Sequence, residues 1–156
     1  MTHSVSEGAG DALLARRQQW MKVLAGAGSR LTEYSDDLRR TEHRFIRPAE
    51  VGMVMVRGRT GACGTPFNLG EMTVTRCVVQ LVDGRHGHGY VAGRSTLHAE
   101  LAALADAHLQ GDRHGHWMTS LIEPLQREQE ARRAAKEAAS AATKVEFVTM
   151  VRGEDE

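Results

Sequence analysis

Apolar residues recur at helical spacing in some stretches of the chain and alternate with polar ones in others, and that division predicts its elements. From Asp11, an acceptable N-cap, DALLARRQQWMKVLAGAG sets Leu13, Trp20 and Leu24 on one face, with Leu14, Met21 and Ala25 beside them. This is an amphipathic helix ending near Gly26 or Gly28. A short second helix is expected over residues 31 to 40. Arg47-Pro48 is expected to interrupt the chain, because a residue before proline is pushed out of helical geometry. Strands follow: VGMVMVRGR at 51 to 59, MTVTRCVVQLV at 72 to 82 and, across the Asp83-Gly84 turn, a returning strand at 87 to 94.

Ser95 can cap a helix to about Leu109, with Leu97, Leu101, Leu104 and Ala105 as its buried stripe. The glycines at 111 and 115 break it, a helical turn is expected around 117 to 122, and Pro124 can open a longer helix to about Ala142. The closing TKVEFVTMV, 143 to 151, alternates as a final strand. With no repeated strand-helix-strand unit, this order predicts an α+β fold: an antiparallel sheet with N-terminal helices, two C-terminal helices and a final strand. Residues 1 to 10 are small and polar and read as a disordered tail; residues 11 to 156 read as a single domain.

Composition narrows the partners. Equal numbers of basic and acidic residues, 20 each, create no global field for nucleic acid or an anionic membrane, and neither is expected as a partner. No run approaches the roughly 18 apolar residues of a membrane span, and the first ten residues have no signal-peptide pattern, so a cytoplasmic location is expected. Aromatics are only 4%, which leaves an aliphatic core; with so little to cover two long helices, Leu13, Trp20, Met21 and Leu24, and the alanine-rich helix at 125 to 142, are expected to meet another subunit, the plainer alternative being that these helices cover the chain's own sheet.

Candidate chemistry concentrates in RGRTGACGTPFNLGEMTVTRC, residues 57 to 77. Backbone N–H groups in a turn containing Gly61 and Gly64 can form an anion-binding concavity, with the forks of Arg57, Arg59 and Arg76 adding charge. The plainer reading is a glycine-rich connection between strands, and no Gly-Lys-Ser or Gly-Lys-Thr follows to make it a phosphate-binding loop of the nucleotidase type. The pairs His86/His88 and His114/His116 lack acidic or cysteine partners at ligand spacing, and no metal is expected there. Cys77 in an apolar strand reads as a small buried hydrophobe, Cys63 as a more exposed thiol, and His98 as a surface or packing residue that could also be a general base.

Several motifs in order resemble the phosphonate carbon-phosphorus lyase G protein family: RQQWMKVLA at 17 to 25, RPAEVGMVMVRGRTGACGTPFNLGEMTVTRC at 47 to 77, YVAGRSTLHAELAALADA at 90 to 107 and KVEFVTMVRGE at 144 to 154. The family's pattern falls on Arg17, Gln18, Trp20 and Met21, on Arg59, Gly61, Gly64, Phe67, Gly70 and Glu71, on Thr73, Thr75 and Arg76, and on Gly93, Arg94, His98 and Glu100. Ala62 departs from it, standing where a second consecutive glycine is usual. The resemblance implies a subunit of a cytoplasmic complex with the H, I and J proteins of the pathway, the I subunit most directly. In that pathway the G, H, I and L proteins convert ATP and an alkylphosphonate into a ribose 1-alkylphosphonate 5-triphosphate with loss of adenine, and J later cleaves the carbon-phosphorus bond. ATP and alkylphosphonate are then substrates of the complex, and no cofactor is expected on this chain. No catalytic residue carries over. By motif position, Arg57, Arg59, Gly61, Gly64, Glu71, Thr75, Arg76, Arg94 and His98 are the anion- or partner-binding candidates, with Arg59, Arg76 and Arg94 expected to converge. The competing reading is a stand-alone anion-binding module.

Overall fold

The computed structural model describes residues 4–61 and 64–142, with the side chains of residues 4–10 left aside. Helix α1 (Ser4–Gly26) leads into a 3-10 turn (Gly28–Tyr34) and a short helix α2 (Ser35–Arg39). Strands β1 (His43–Arg59), β2 (Pro66–Leu81) and β3 (His86–Ala92) follow, then α3 (Thr96–Leu109), a single turn α4 (His114–Trp117), a π-helical segment (Met118–Ile122) and α5 (Glu123–Ala142). Among the described residues the sheet is antiparallel in the order β1-β2-β3, so the expected α+β class holds. The expected final strand lies outside the described residues. Helix α1 starts ahead of Asp11 and so overlaps the stretch read as a tail.

Helix α3 is the centre of the molecule. Ser95 caps it, its hydroxyl accepting from the His98 amide at 3.2 Å. From His98 to Leu109 every residue except Glu100 is buried, because the sheet lies on one side and α1, α2, α4 and the 3-10 turn on the other. Its alanines set how close the layers come. Gly87 and Gly89 of β3 face Ala99, Ala103 and Ala107, and a Cβ on Gly87 would lie 1.9 Å from the Ala103 carbonyl oxygen. Such spacing explains how a mostly aliphatic core suffices: among the described residues Leu, Val and Ala dominate it, with two buried tryptophans and Tyr34 packed partly against it.

Three polar side chains of α3 reach out and fasten the N-terminal helices. The His98 Nε2–H donates to the Leu24 carbonyl at 2.8 Å, and the His108 Nε2–H to the Leu38 carbonyl at 3.0 Å. A carbonyl only accepts, so each of these ring nitrogens carries a proton. Asp106, wholly buried, accepts from Arg17 Nη2 at 2.8 Å, from Trp20 Nε1 at 2.9 Å and from the His88 amide at 2.9 Å. Helix α5 completes the end of α1: Gln129 donates to the Val23 carbonyl at 2.8 Å and Arg132 to the Gly26 carbonyl at 3.3 Å. Helix ends leave four carbonyls without intrahelical partners, and a cation there also suits the helix dipole.

Several expectations change. Trp20 and Leu24 lie in the chain's own core, 2% and 1% exposed, and do not face another subunit; Met21 packs partly against the same core. Leu13 and Leu14 remain exposed instead. Leu97 falls outside the buried stripe of α3, the first buried positions being taken by His98 and Ala99. β1 runs straight through Arg47-Pro48. Among the described residues it is an edge strand, where a missing N–H costs no ladder bond, and register shifts between Phe45 and Arg47 and between Arg47 and Glu50 absorb the misfit.

His108 gives a pH dependence. Burial holds its imidazole below the ordinary value, Arg85 and Arg113 push the same way, and the Leu38 carbonyl and Asp83 only partly offset them. The neutral ring is therefore the folded form. Its stabilising contribution is complete above the unfolded-state value of about 6.5 and is lost as pH falls from there through the folded value. We expect the melting temperature to drop between pH 7.5 and 5.5 and His108→Gln to flatten that slope; equal slopes in parent and variant would contradict it.

Candidate partner-binding surface

β1 and β2 pair along their whole lengths, from His43 opposite Leu81 to Arg59 opposite Pro66, whereas β3 covers only Val74 to Gln80 of β2. Residues 53–59 and 66–73 therefore form a two-stranded arm that outruns the third strand, with Val51 and Gly52 at its base opposite Thr75 and Val74. Directly opposed residues share a face of a sheet, and side chains alternate along each strand. One face of the arm carries Val51, Met53 and Met55, with Thr73 and Glu71 opposite the two methionines. The other carries Val54 opposite Met72, and Phe67 opposite Gly58, with Leu69 beside it. Both faces are apolar and open: Met53 is 68% and Leu69 66% exposed, and Val51, Met55, Phe67 and Met72 are each more than two-fifths exposed.

The connection expected between the strands at 51 to 59 and 72 to 82 is shorter than the pattern suggested, because β2 begins at Pro66. Only residues 60 to 65 connect the strands, and Ala62 and Cys63 lie outside the described residues. Gly61 holds a φ of +67°, and a Cβ on Gly64 would lie 2.0 Å from the Thr60 carbonyl oxygen, so this tight connection needs glycine at both positions.

The arginines do not converge. Arg76 pairs with Glu50 across the ladder, its Nε donating at 2.7 Å, while Arg59 ends β1. From Glu50 to Arg59 along the strand is about 30 Å at roughly 3.3 Å per residue. Arg94 leaves the sheet beside Gly93, whose amide bonds the Thr73 carbonyl, between those two levels. Long strands in place of a compact turn are the reason. Arg57 and Arg59 stand exposed near the tip, and neither they nor Arg94 makes an ion pair among the described residues.

The remaining candidates separate. Glu71 is exposed on the arm opposite Met55. Thr75 is buried and its hydroxyl donates to the Gly93 carbonyl at 2.7 Å, which ties β2 to the end of β3. His98 is turned inward to Leu24, which removes it as an anion ligand or general base. Cys77 is buried as expected, with its thiol pushed up to about 11 by burial first and Glu100 second; it stays protonated at neutral pH. His86 and His88 are exposed on one face of β3, and among the described residues no three His, Cys, Asp or Glu side chains gather as a metal site would require. No described helix is long and apolar enough to cross a membrane.

Sequence reasoning missed the arm and Asp106. The arm left a signal, since Val51 to Val56 is apolar at every position but Gly52, a run that a sheet with one wet face would not keep. Asp106 left none.

Comparison with known proteins agrees with the motifs. The family model described as "Phosphonate metabolism protein PhnG" matches residues 15–153. A protein of Rhizobium meliloti (strain 1021), named alpha-D-ribose 1-methylphosphonate 5-triphosphate synthase subunit PhnG, is 42% identical over 149 residues, covering 93% of this chain and 94% of that one. Similarity along nearly the whole of both chains, through the arm as well as the core, shows that this chain belongs to the PhnG family of phosphonate metabolism proteins.

Proposed function

We propose that the chain is the G subunit of a cytoplasmic synthase that transfers the ribose triphosphate moiety of ATP to an alkylphosphonate with release of adenine. In this reading it is an accessory subunit, required for turnover without carrying the main active site, and it assembles with the H, I and J proteins, the I subunit most directly. The observation that carries the reading is 42% identity, end to end, to a protein named as a subunit of such a synthase. The apolar arm, uncovered among the described residues, supports it, because isolated two-stranded hairpins are marginal in water and exposed apolar patches of this kind mark association surfaces. A stand-alone anion-binding module loses its geometric basis, since Arg59, Arg76 and Arg94 stand apart.

Reconstitution tests the proposal. The remaining synthase proteins incubated with ATP and methylphosphonate should release adenine and form the ribose 1-phosphonate product only when this chain is added. Equal adenine release without it would overturn the proposal.

A further inference from the structure

We propose that the arm, residues 53–59 and 66–73, inserts into a cleft of a different subunit, one with apolar walls and acidic groups towards the tip, and that a strand of that subunit pairs with the edge of β1 from Val51 to Arg59. The inference rests on the reading of the chain as a synthase subunit and names the surface through which it is held.

Among the described residues, the edge of β1 is guarded in one half and open in the other. Between Phe45 and Glu50, Pro48 and two register shifts that place extra residues on β1 break the row of outward N–H and C=O groups. Natural sheets blunt their edges in this way against strand addition. From Val51 to Arg59 there is no proline and no lysine, and the extra residue at the Val56/Arg57 shift, Leu69, belongs to β2. The unguarded half is the same stretch that exposes Val51, Met53 and Met55.

Size argues for enclosure. At about 3.3 Å per residue and about 4.8 Å between strands, one face of the arm spans roughly 23 by 10 Å, or about 230 Å². A stable specific interface buries about 800 Å² on each partner. One face is too small. Both faces together with an edge approach that area, so the occupant surrounds the arm.

Charge argues for a different chain. β1 carries Arg44, Arg47, Arg57 and Arg59 against a single Glu50, so two copies paired edge to edge would set two cationic strands side by side. Arg57 and Arg59, exposed and without an ion pair among the described residues, instead suit carboxylates lining the far end of a cleft.

The test uses the full chain, alone and co-expressed with the other synthase subunits, read by backbone hydrogen exchange and by retention of the assembly. Alone, amides of 51–59 should exchange fast and the chain should run as a monomer; in the assembly they should be protected. The double variant Met53→Lys/Leu69→Lys, one change per face, should melt like the parent yet bind about 30-fold more weakly, as expected for losing a central interface anchor, whereas Leu13→Lys on α1 should bind normally. Should the parent assemble with its arm amides unprotected, or the double variant assemble as well as the parent, the arm proposal fails and the subunit reading survives. Failure of the parent to assemble with any synthase subunit overturns both. A dimer of the chain alone with a protected arm makes a second copy the occupant and overturns the proposal. If the double variant melts early, protection of the parent's arm decides.

Discussion

Asp106→Ala is expected to cost about 3–5 kcal/mol of stability, the largest loss of any single substitution discussed, as befits removal of one partner from a buried charge pair. The carboxylate is fully buried and serves three elements at once: Arg17 and Trp20 of α1 and the His88 amide of β3. Its loss strands the Trp20 and His88 N–H groups away from water and leaves the largely buried Arg17 guanidinium without its counter-ion. For a chain of this length, each kcal/mol moves the melting temperature by about 2–4 °C, so a fall of roughly 10 °C or more should appear in a thermal scan. Asp106→Asn keeps an acceptor and should lose about half as much; Arg17→Met, which removes the charge and leaves the carboxylate its two N–H donors, should also fall between. A loss below about 1 kcal/mol for Asp106→Ala would show that water replaces these contacts.

The second large effect is expected at the closest approach of sheet and helix. A Cβ on Gly89 would lie 1.9 Å from the Ala99 carbonyl oxygen and 3.1 Å from the Ala103 amide nitrogen, all backbone of a buried helix that cannot yield by a rotamer change. Gly89→Ala must lift α3 from β3, and we expect about 3 kcal/mol, the upper end of the range for overpacked cores. Gly52→Ala is the control: its Cβ would meet nothing within 4 Å, so it should be neutral or slightly stabilising. Denaturant unfolding of both variants distinguishes a packing cost from a general intolerance of alanine in strands.

Local signals foretold the elements whose reasons are local. Ser95, the apolar stripe of Leu101 and Leu104, and the Asp83-Gly84 turn each act within a few residues, and each appears where the pattern placed it. Pro48 misled because its tolerance depends on β1 lying at an edge, a property of the sheet's order. The Gly-rich stretch misled because glycine suits a turn, yet Gly70 lies within β2, opposite Val56. Trp20 and Leu24 were assigned to a partner on the argument that few aromatics leave little core. Small residues on α3 and β3 answer that argument by letting the layers close up, a contribution that composition does not reveal. Asp106 was invisible for a plainer reason: its partners are 89, 86 and 18 residues away along the chain.

The end of α1 has a consequence for how the protein is made. The Val23 and Gly26 carbonyls find their partners in Gln129 and Arg132, each 106 residues downstream, so α1 leaves the ribosome long before the side chains that finish it. Until α3 emerges, Trp20 and Leu24 have no partners there, and until α5 follows, the Val23 and Gly26 carbonyls must be satisfied by water. Helix α1 thus displays apolar surface through much of synthesis, the interval in which chaperone capture or aggregation competes with folding.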